Sequence, residues 1–480
     1  MASDNPWSTP SNDALLLSLV APSPTGVKTI GHSFHPKFSY SIFGEDEIIF
    51  GYQELEINLR FNASDMRPNL SVTYSKKFPA VGEAEPTDIH GILRELMPDV
   101  AFQSKGDYET AIKTLRKDWT PPGELAATFL AQGNTFEVWK GNLADTAVKQ
   151  LVKRIQILVP LFIEAGTPIN LDDPEVNQWT VFFLYQKSAA AGDASSNPYT
   201  FAGYATAYRF FFLRLPTPPL SPSESDVEKA VLSQDFDLSR LPCRTRIAQF
   251  IILPPFQQKG LGPKLYSHIF KEYINHPQTV EITVEDPNEA FDDLRDIADL
   301  QYLRQLPDFQ QLRINTDVVI PKTGPAPDNI VKKAAYDAVR AKAKMAPRQF
   351  ARVLEMHLMS QLADSVRPGI NFPEEEKKVT SAKATREQEH EYRLWRLMLK
   401  KRLYQHNRDA LGELEIPDRI AKLDETVSSV EFDYARLLAK AEDQQEKEAA
   451  ANGLAANGKR KAEEDAEEAS ASKKARVEDA

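Results

Sequence analysis

The order of apolar and polar positions divides the chain into stretches of different period. From Ile48 to Phe61 the two alternate, with Ile57, Leu59 and Phe61 on one face, which predicts a strand. Segments 87–100 (TDIHGILRELMPDV) and 107–119 (DYETAIKTLRKDW) have the spacing of short amphipathic helices, and TPPG at 120–123 interrupts the chain after them. FEVWKG at 136–141 predicts a short strand, and 145–169 one long helix ending near Gly166–Pro168. WTVFFLYQK (179–187) is a near-continuous apolar run of the kind found in central strands. In the following run, 200–215, Tyr204, Thr206, Tyr208, Phe210 and Phe212 share a face. TRIAQFIILPPF (245–256) and VEITVED (280–286) are two more strands, each leading into a helical pattern, at 262–274 and 288–303.

Beyond Pro321 the pattern is helical throughout. Pro347 suits a first turn, and Phe350, Val353, Leu354, Leu358 and Leu362 repeat at helical spacing after it. Leu394, Leu397, Met398 and Tyr404 predict a second helix and Ile420–Ala439 a third. Strands in antiparallel series, then strands alternating with helices, define an α/β chain whose central mixed sheet is flanked by helices. The expected domains are an N-terminal α/β domain at 1–135, a second α/β domain at 136–310 and a helical region at 311–440. The segment 216–242, opened by PTPPLSPSESD, reads as a surface excursion, and the tail 441–480, rich in Ala, Glu and Lys, as disordered.

Composition narrows the function. A chain of 480 residues with 42% hydrophobic positions has material for more than one core. Its net charge of −11 argues against a general nucleic-acid binder and suits a basic partner. The single cysteine, Cys243, excludes internal disulfides and cysteine-built metal sites, and it stands in LPCRTR with no adjacent histidine, which argues against a covalent acyl-cysteine route. The eight histidines show no metal-ligand spacing, so no metal is expected. MASDNPWSTP lacks the basic start and apolar stretch of a signal peptide, and no apolar run approaches the roughly 20 residues of a membrane span, so a soluble intracellular protein is expected.

The most informative segment is QFIILPPFQQKGLGPKL, residues 249–265: a buried strand, a glycine-containing loop and the start of a helix. Such a loop aims backbone N–H groups at an anion where the helix dipole also favours one. The order Gln257-x-x-Gly260-x-Gly262 is neither a dinucleotide fingerprint nor a P-loop. It resembles the pyrophosphate-binding loop of the GNAT acetyltransferases. With EITVEDPNEAFDDLRD downstream, and LFIEAGTPINLDD and IFGEDEIIFGYQELEI upstream, residues 40–310 resemble the fungal-like type B histone acetyltransferase catalytic subunits.

The resemblance implies a GNAT-type sheet and acetyl transfer from acetyl-CoA to lysines in the tail of newly made histone H4. It also implies a WD-repeat histone-binding subunit as partner and roles in chromatin assembly and DNA repair. It assigns the general base to Glu285, with Asp286 and Glu164 as alternatives. The bland readings are that Asp286 only caps the following helix and that Glu164 is a solvated helix end. The cofactor would lie along Phe250, Ile251 and Ile252, on the loop Gln257, Gln258, Lys259, Gly260, Leu261, Gly262 and Pro263, and at Asn288, with Phe291 and Arg295 nearby. Glu45, Asp46, Glu47, Tyr208, Arg209 and Phe210 would meet the histone tail, although Tyr208 and Phe210 also read as core and a cation at Arg209 suits a basic peptide poorly.

Eight acids against one base between Glu281 and Asp299 read as a surface that attracts such a tail. KR at 459–460 and KKAR at 473–476 have bipartite nuclear-import spacing, so nucleus and cytoplasm are both expected, with no direct nucleic-acid or membrane contact. The alternatives are a non-catalytic histone chaperone, an acetyltransferase for another amine, and, from KKR at 400–402, a nucleic-acid module.

Overall fold

The computed structural model describes residues 5–82, 84–188, 197–212, 238, 241–322, 324–369 and 383–475, with side chains as far as Lys447. Most of the 216–242 excursion, and the side chains of both basic clusters in the tail, lie outside the described residues. The chain forms two compact units, Met1–Pro287 and Asn288–Ala480. The sequence pattern had placed its divisions at 135/136 and 310/311.

The first unit opens with eight strands: β1 (Ser8–Pro10), β2 (Leu15–Ser23), β3 (Gly26–Phe34), β4 (Ile48–Phe50), β5 (Tyr52–Gln53), β6 (Glu56–Asn62), β7 (Pro68–Thr73) and β8 (Lys76–Lys77). Four of them make a sheet in the order β3-β2-β6-β7, with β2 and β6 parallel. Leu17, Leu19, Ile57, Leu59 and Phe61 are buried between its strands and the covering helices. The alternating run 48–61 is therefore three strands instead of one. The interruption falls at Gly51, with φ +98°, where a Cβ would come within 2.6 Å of Pro86 Cα, and at Glu54, with φ +52°.

Six further strands build the main sheet: β9 (Glu124–Ala131), β10 (Asn134–Asn142), β11 (Trp179–Lys187), β12 (Tyr199–Phe211), β13 (Cys243–Ile252) and β14 (Thr279–Val284). Their spatial order is the chain order reversed, β14-β13-β12-β11-β10-β9. All neighbours are antiparallel except β13 and β14, whose parallel pairing requires the crossover helix Leu261–Asn275. The expected helix over 145–169 is two, Thr146–Ile155 and Leu158–Phe162. Pro160 has no N–H to donate to the Gln156 carbonyl, so the helical ladder breaks there. A buried ion pair, Arg154 Nη1 to Asp65 Oδ2 at 2.9 Å, ties the first of these helices to the turn between β6 and β7.

The second unit is helical. Its main helices are Glu289–Leu303, Lys333–Ala343, Pro347–Gln361, Arg386–His406 and Ile416–Ala475. Phe350, Val353, Leu354 and Leu358 are buried as the spacing predicts. On Arg386–His406 the buried face is Leu394, Trp395, Leu399 and Leu403, while Tyr404 is exposed. Buried charges cross-link these helices: Arg402 Nε meets Glu355 Oε1 at 2.8 Å, and the Tyr434 hydroxyl donates to Glu355 Oε2 at 2.8 Å. The last helix extends through the Ala/Glu/Lys segment that had read as a tail. Those residue types have high helix propensity even where they have nothing apolar to bury.

Candidate active site

Strand β13 carries the site because it is longer than its neighbour β14. The pairing with β14 runs from Cys243↔Thr279 to Ile247↔Val284, and the Glu285 N–H then donates to the Ile247 carbonyl at 2.9 Å. Ala248–Ile252 continues beyond that last rung, held on its other side by β12 through Ala205↔Phe250, Tyr204↔Ile251 and Gly203↔Ile252. A register shift between Ala205 and Ala207 bends β13 at this point, and the Gln249 N–H donates to Thr206 Oγ1 at 3.1 Å. Gln249 also fixes the bend from its side chain: it accepts from the Tyr204 hydroxyl and donates to the Thr167 carbonyl. Gly203 allows the close approach, since a Cβ there would stand 2.3 Å from the Ile251 carbonyl oxygen.

From Ile252 the chain turns through Pro254–Phe256 into the loop Gln257–Gly260 and the fifteen-residue helix Leu261–Asn275. Gly260 is the N-cap, with φ +72° and nothing within 4 Å of where a Cβ would be. Gln258 is also left-handed, with φ +58°. No side chain caps this helix, so Gly260, Leu261 and Gly262 present backbone N–H groups at a terminus that favours an anion, while Pro263 has no N–H to add. Gln257 Nε2 donates to the Ile252 carbonyl at 2.8 Å, and Lys259 Nζ to the Pro255 carbonyl at 2.7 Å; both side chains brace the loop. These features fit a diphosphate linked to an extended amide-bearing arm. As side chains, Ile251 is buried, and Phe250 and Ile252 are half-buried.

Glu285 stands where β13 and β14 part, its side chain 47% exposed and its Oε1 3.8 Å from Arg246 Nη1. Asp286, in a left-handed conformation with φ +32°, is exposed. It is not a helix cap: the next helix begins at Glu289 and is capped by Asn288, whose Oδ1 accepts from the Phe291 N–H at 2.9 Å. Asn288 opens the second unit. Glu164 is exposed and lies past the end of Leu158–Phe162, not in its last turn. The next residue, Ala165, has φ +53° and donates its N–H to the Tyr40 hydroxyl at 2.5 Å.

The surface beside Arg246 is aromatic. Tyr208 packs on Trp179 at 4.9 Å and on Phe210 at 4.5 Å between ring centroids, and the Arg246 guanidinium lies 4.6 Å from the Phe210 centroid. Phe210 is 41% exposed, so the pair is a shelf and not core. The Tyr208 hydroxyl donates to Glu175 Oε2 at 2.5 Å; desolvation first, and that carboxylate second, push its pKa up. Arg209 rests against Phe211 at 5.4 Å.

Of the other expected tail contacts, Glu45 and Asp46 are exposed. Glu47 is engaged within the protein: it accepts from the Ser39 N–H at 2.5 Å and from Asn12 Nδ2 at 2.9 Å, and the Ser39 backbone bond chiefly lowers its pKa. Half of the eight acids in segment 281–299 are likewise paired inside the fold. Glu281 bonds Arg244 at 2.8 Å, Asp293 bonds Arg436 at 2.6 and 2.8 Å, and Asp296 and Asp299 are buried on Gln349, with Arg352 also on Asp296. Glu285, Asp286 and Glu289 remain exposed.

The basic triplet 400–402 is used the same way, Lys400 on Asp424, Lys401 on Asp328 and Arg402 on Glu355. Cys243 is buried at the far end of β13, 3.9 Å from Thr279 Oγ1. Among the described residues no cluster of three or more His, Cys, Asp or Glu is placed to hold a metal, and no helix is long and apolar enough to cross a membrane.

A mixed sheet whose parallel strand pair is joined by a glycine-opened crossover helix is the architecture of a GNAT-like fold. Comparison with known proteins agrees. Residues 7–164 match the model for the histone acetyl transferase HAT1 N-terminus, and residues 296–363 that for the fungal HAT1 C-terminal region. The chain is similar to the histone acetyltransferase type B catalytic subunit of Neurospora crassa, with 51% identity covering 100% of this chain and 99% of that protein. It is 48% identical to the proteins of the same name from Pyricularia oryzae (100% of both chains) and Gibberella zeae (99% of both). The chain belongs to the family of type B histone acetyltransferase catalytic subunits, acetyl-CoA-dependent acyltransferases that act on histones.

Arg246 and Gly203 were not singled out from the sequence. The alternation in CRTRIAQ puts Arg244 and Arg246 on the polar face of β13, which was the available signal. Nothing local marks Gly203, whose need is set by a strand distant in sequence.

Proposed function

We propose that this protein transfers the acetyl group of acetyl-CoA to lysine ε-amines in the N-terminal tail of free histone H4, with Glu285 as general base. The observation that carries the proposal is that β13 runs on past the last rung with β14 and leads to an uncapped helix terminus, with Glu285 beside the fork. Bound acetyl-CoA supplies an activated thioester carbonyl. Residues Phe250–Ile252 offer backbone groups to its amide-bearing arm in the manner of an added strand, and Gly260, Leu261 and Gly262 offer backbone at the helix terminus to its diphosphate. Glu285 takes the proton from the lysine ammonium, with a reference pKa of about 10.4, so that nitrogen can attack the carbonyl carbon. The carbon–sulfur bond then breaks, and the nitrogen gives up its second proton as the departing thiolate takes one up.

Asp286 and Glu164, both exposed, are the alternative bases. The Tyr208–Phe210 shelf and the exposed Glu45 and Asp46 suit a lysine-rich peptide. A WD-repeat histone-binding subunit as partner, residence in nucleus and cytoplasm, and service to chromatin assembly and DNA repair complete the proposal.

The test is Glu285→Gln. Removing a general base is expected to lower kcat on an H4 tail peptide by about a hundredfold or more. Acetyl-CoA affinity, read by calorimetry, should hardly change. Turnover like that of the wild type would falsify the assignment and move the role to Asp286 or Glu164. Histone binding without any acetyl transfer would favour the chaperone reading.

A further inference from the structure

The base reading leaves one feature of the fork without a use: a cation placed beside the carboxylate. Arg246 projects from β13 on the half-exposed face, one rung before the divergence, opposite Tyr208 on β12 and Thr283 on β14. Its guanidinium is held from two sides, at 4.6 Å from the Phe210 ring centroid and with Nη1 3.8 Å from Glu285 Oε1. A separation of 3.8 Å is too long for a hydrogen bond, and both side chains are part-exposed, at 34% and 47%. As a stabilising salt bridge it contributes little.

Among the described residues, Arg246 comes near one acid, Glu285, and forms no hydrogen bond with it. Arg244, two residues earlier on the same face, is bonded to Glu281 at 2.8 Å. On β12, the Tyr208 hydroxyl is engaged with Glu175. Asp286, next along the chain from the base, is exposed.

We propose that Arg246 is a positioning residue of the acetyl transfer, whose fixed charge beside Glu285 disfavours the charged form of the incoming lysine. The inference rests on Glu285 being the base. A lysine ammonium donating to Glu285 comes within a few ångströms of the guanidinium, because both cations share one carboxylate. A like charge at about 4–6 Å disfavours the ammonium and releases its proton more readily, shifting a pKa by the order of 1 unit. Phe210 makes this arrangement hold: its ring face supports the guanidinium while leaving it partly desolvated, so that the arginine does not swing away to solvent. Exposed aromatic and strand arginine thereby act together, and Phe210 belongs to the site through Arg246 as well as through the peptide.

The experiment measures kcat and kcat/KM on an H4 tail peptide from about pH 6 to 10, the range in which a lysine amine begins to titrate. It uses the full chain and compares wild type, Arg246→Gln, Arg246→Lys and Glu285→Gln. For Arg246→Gln the rising limb is expected to move about 1 unit to higher pH, with kcat/KM near neutrality down about tenfold and most of the loss recovered at high pH. Arg246→Lys should restore the limb largely, since charge and not hydrogen-bond geometry is what acts. Acetyl-CoA affinity should be the same in all four proteins.

If Glu285→Gln is inactive but Arg246→Gln keeps the wild-type pH profile, the arginine proposal is overturned and the base reading stands. Wild-type turnover in Glu285→Gln overturns the base reading itself. A uniform loss of rate in Arg246→Gln at every pH, with reduced acetyl-CoA affinity, means that Arg246 merely supports the fold, and that too overturns the proposal.

Discussion

Single side chains in this protein divide into those that the fold uses and those left for chemistry, and identity alone does not tell them apart. Glu47 and Glu45 stand two residues apart in one acidic cluster, yet Glu47 closes a hydrogen-bonded turn on Ser39 and Asn12 while Glu45 is exposed. His357 is a comparable case among the bases. It is buried against Phe309, with ring centroids 4.6 Å apart, and burial, then Arg304 and Arg313, push its pKa from 6.5 down to about 4. The neutral ring is therefore the folded form. The unfolded chain binds a proton first as pH falls, so stability is full above about pH 6.5 and declines from there to about pH 4. The whole span is worth up to about 3 kcal/mol. Urea titrations at pH 7 and pH 5 should show a smaller acid-induced loss in His357→Gln than in wild type; equal losses would mean that the ring is already charged in the fold.

At the scale of elements, the site depends on one strand being longer than its partner and bent at the right residue. The sequence showed β13, the loop and the following helix as a unit, because a buried apolar run, two glycines and an amphipathic pattern follow one another directly. It did not show where β14 stops pairing, nor the bend, since both depend on register with distant strands. Gly203 on β12 is the residue that joins these facts. An alanine there would place a methyl 2.3 Å from the Ile251 carbonyl oxygen and push β13 out towards the cofactor. Overpacking of this kind costs about 1–3 kcal/mol. Gly203→Ala is therefore expected to weaken acetyl-CoA binding by about tenfold or more by calorimetry, while its far-ultraviolet dichroism stays that of the wild type. Unchanged affinity would show that the Ile251–Ile252 backbone is not used by the cofactor.

Over the whole molecule the net charge of −11 remains, but its distribution is not the one the sequence suggested. Half of the eight acids in the run 281–299 pair with arginines of the fold, and the triplet 400–402 is paired with acids of the helical unit. The acids left exposed, among them Glu45, Asp46, Asp286 and Glu289, are the ones that can attract a basic tail. Steering by such charges weakens as the Debye length shortens from about 10 Å at 0.1 M salt towards 3 Å at 1 M. KM for an H4 tail peptide should accordingly rise several-fold between low and high salt, with kcat changing much less. A salt-independent KM would refute electrostatic capture.

What the sequence by itself determined is whatever short-range pattern can carry. The α/β strands and helical end follow from apolar periodicity, the strand–loop–helix junction from its two glycines, and the family from motifs spread over residues 40–310. Helix ends and strand breaks were less legible. Pro160 and Gly51 act through a lost donor and a left-handed turn, and both were read through as continuous elements. Only the tertiary structure decided which charges are paired, that Asn288 and not Asp286 caps its helix, and that Arg246 stands beside both Phe210 and Glu285. Those are long-range matters: a carboxylate is neutralised, or a ring exposed, by residues tens or hundreds of positions away, and local periodicity contains no record of them.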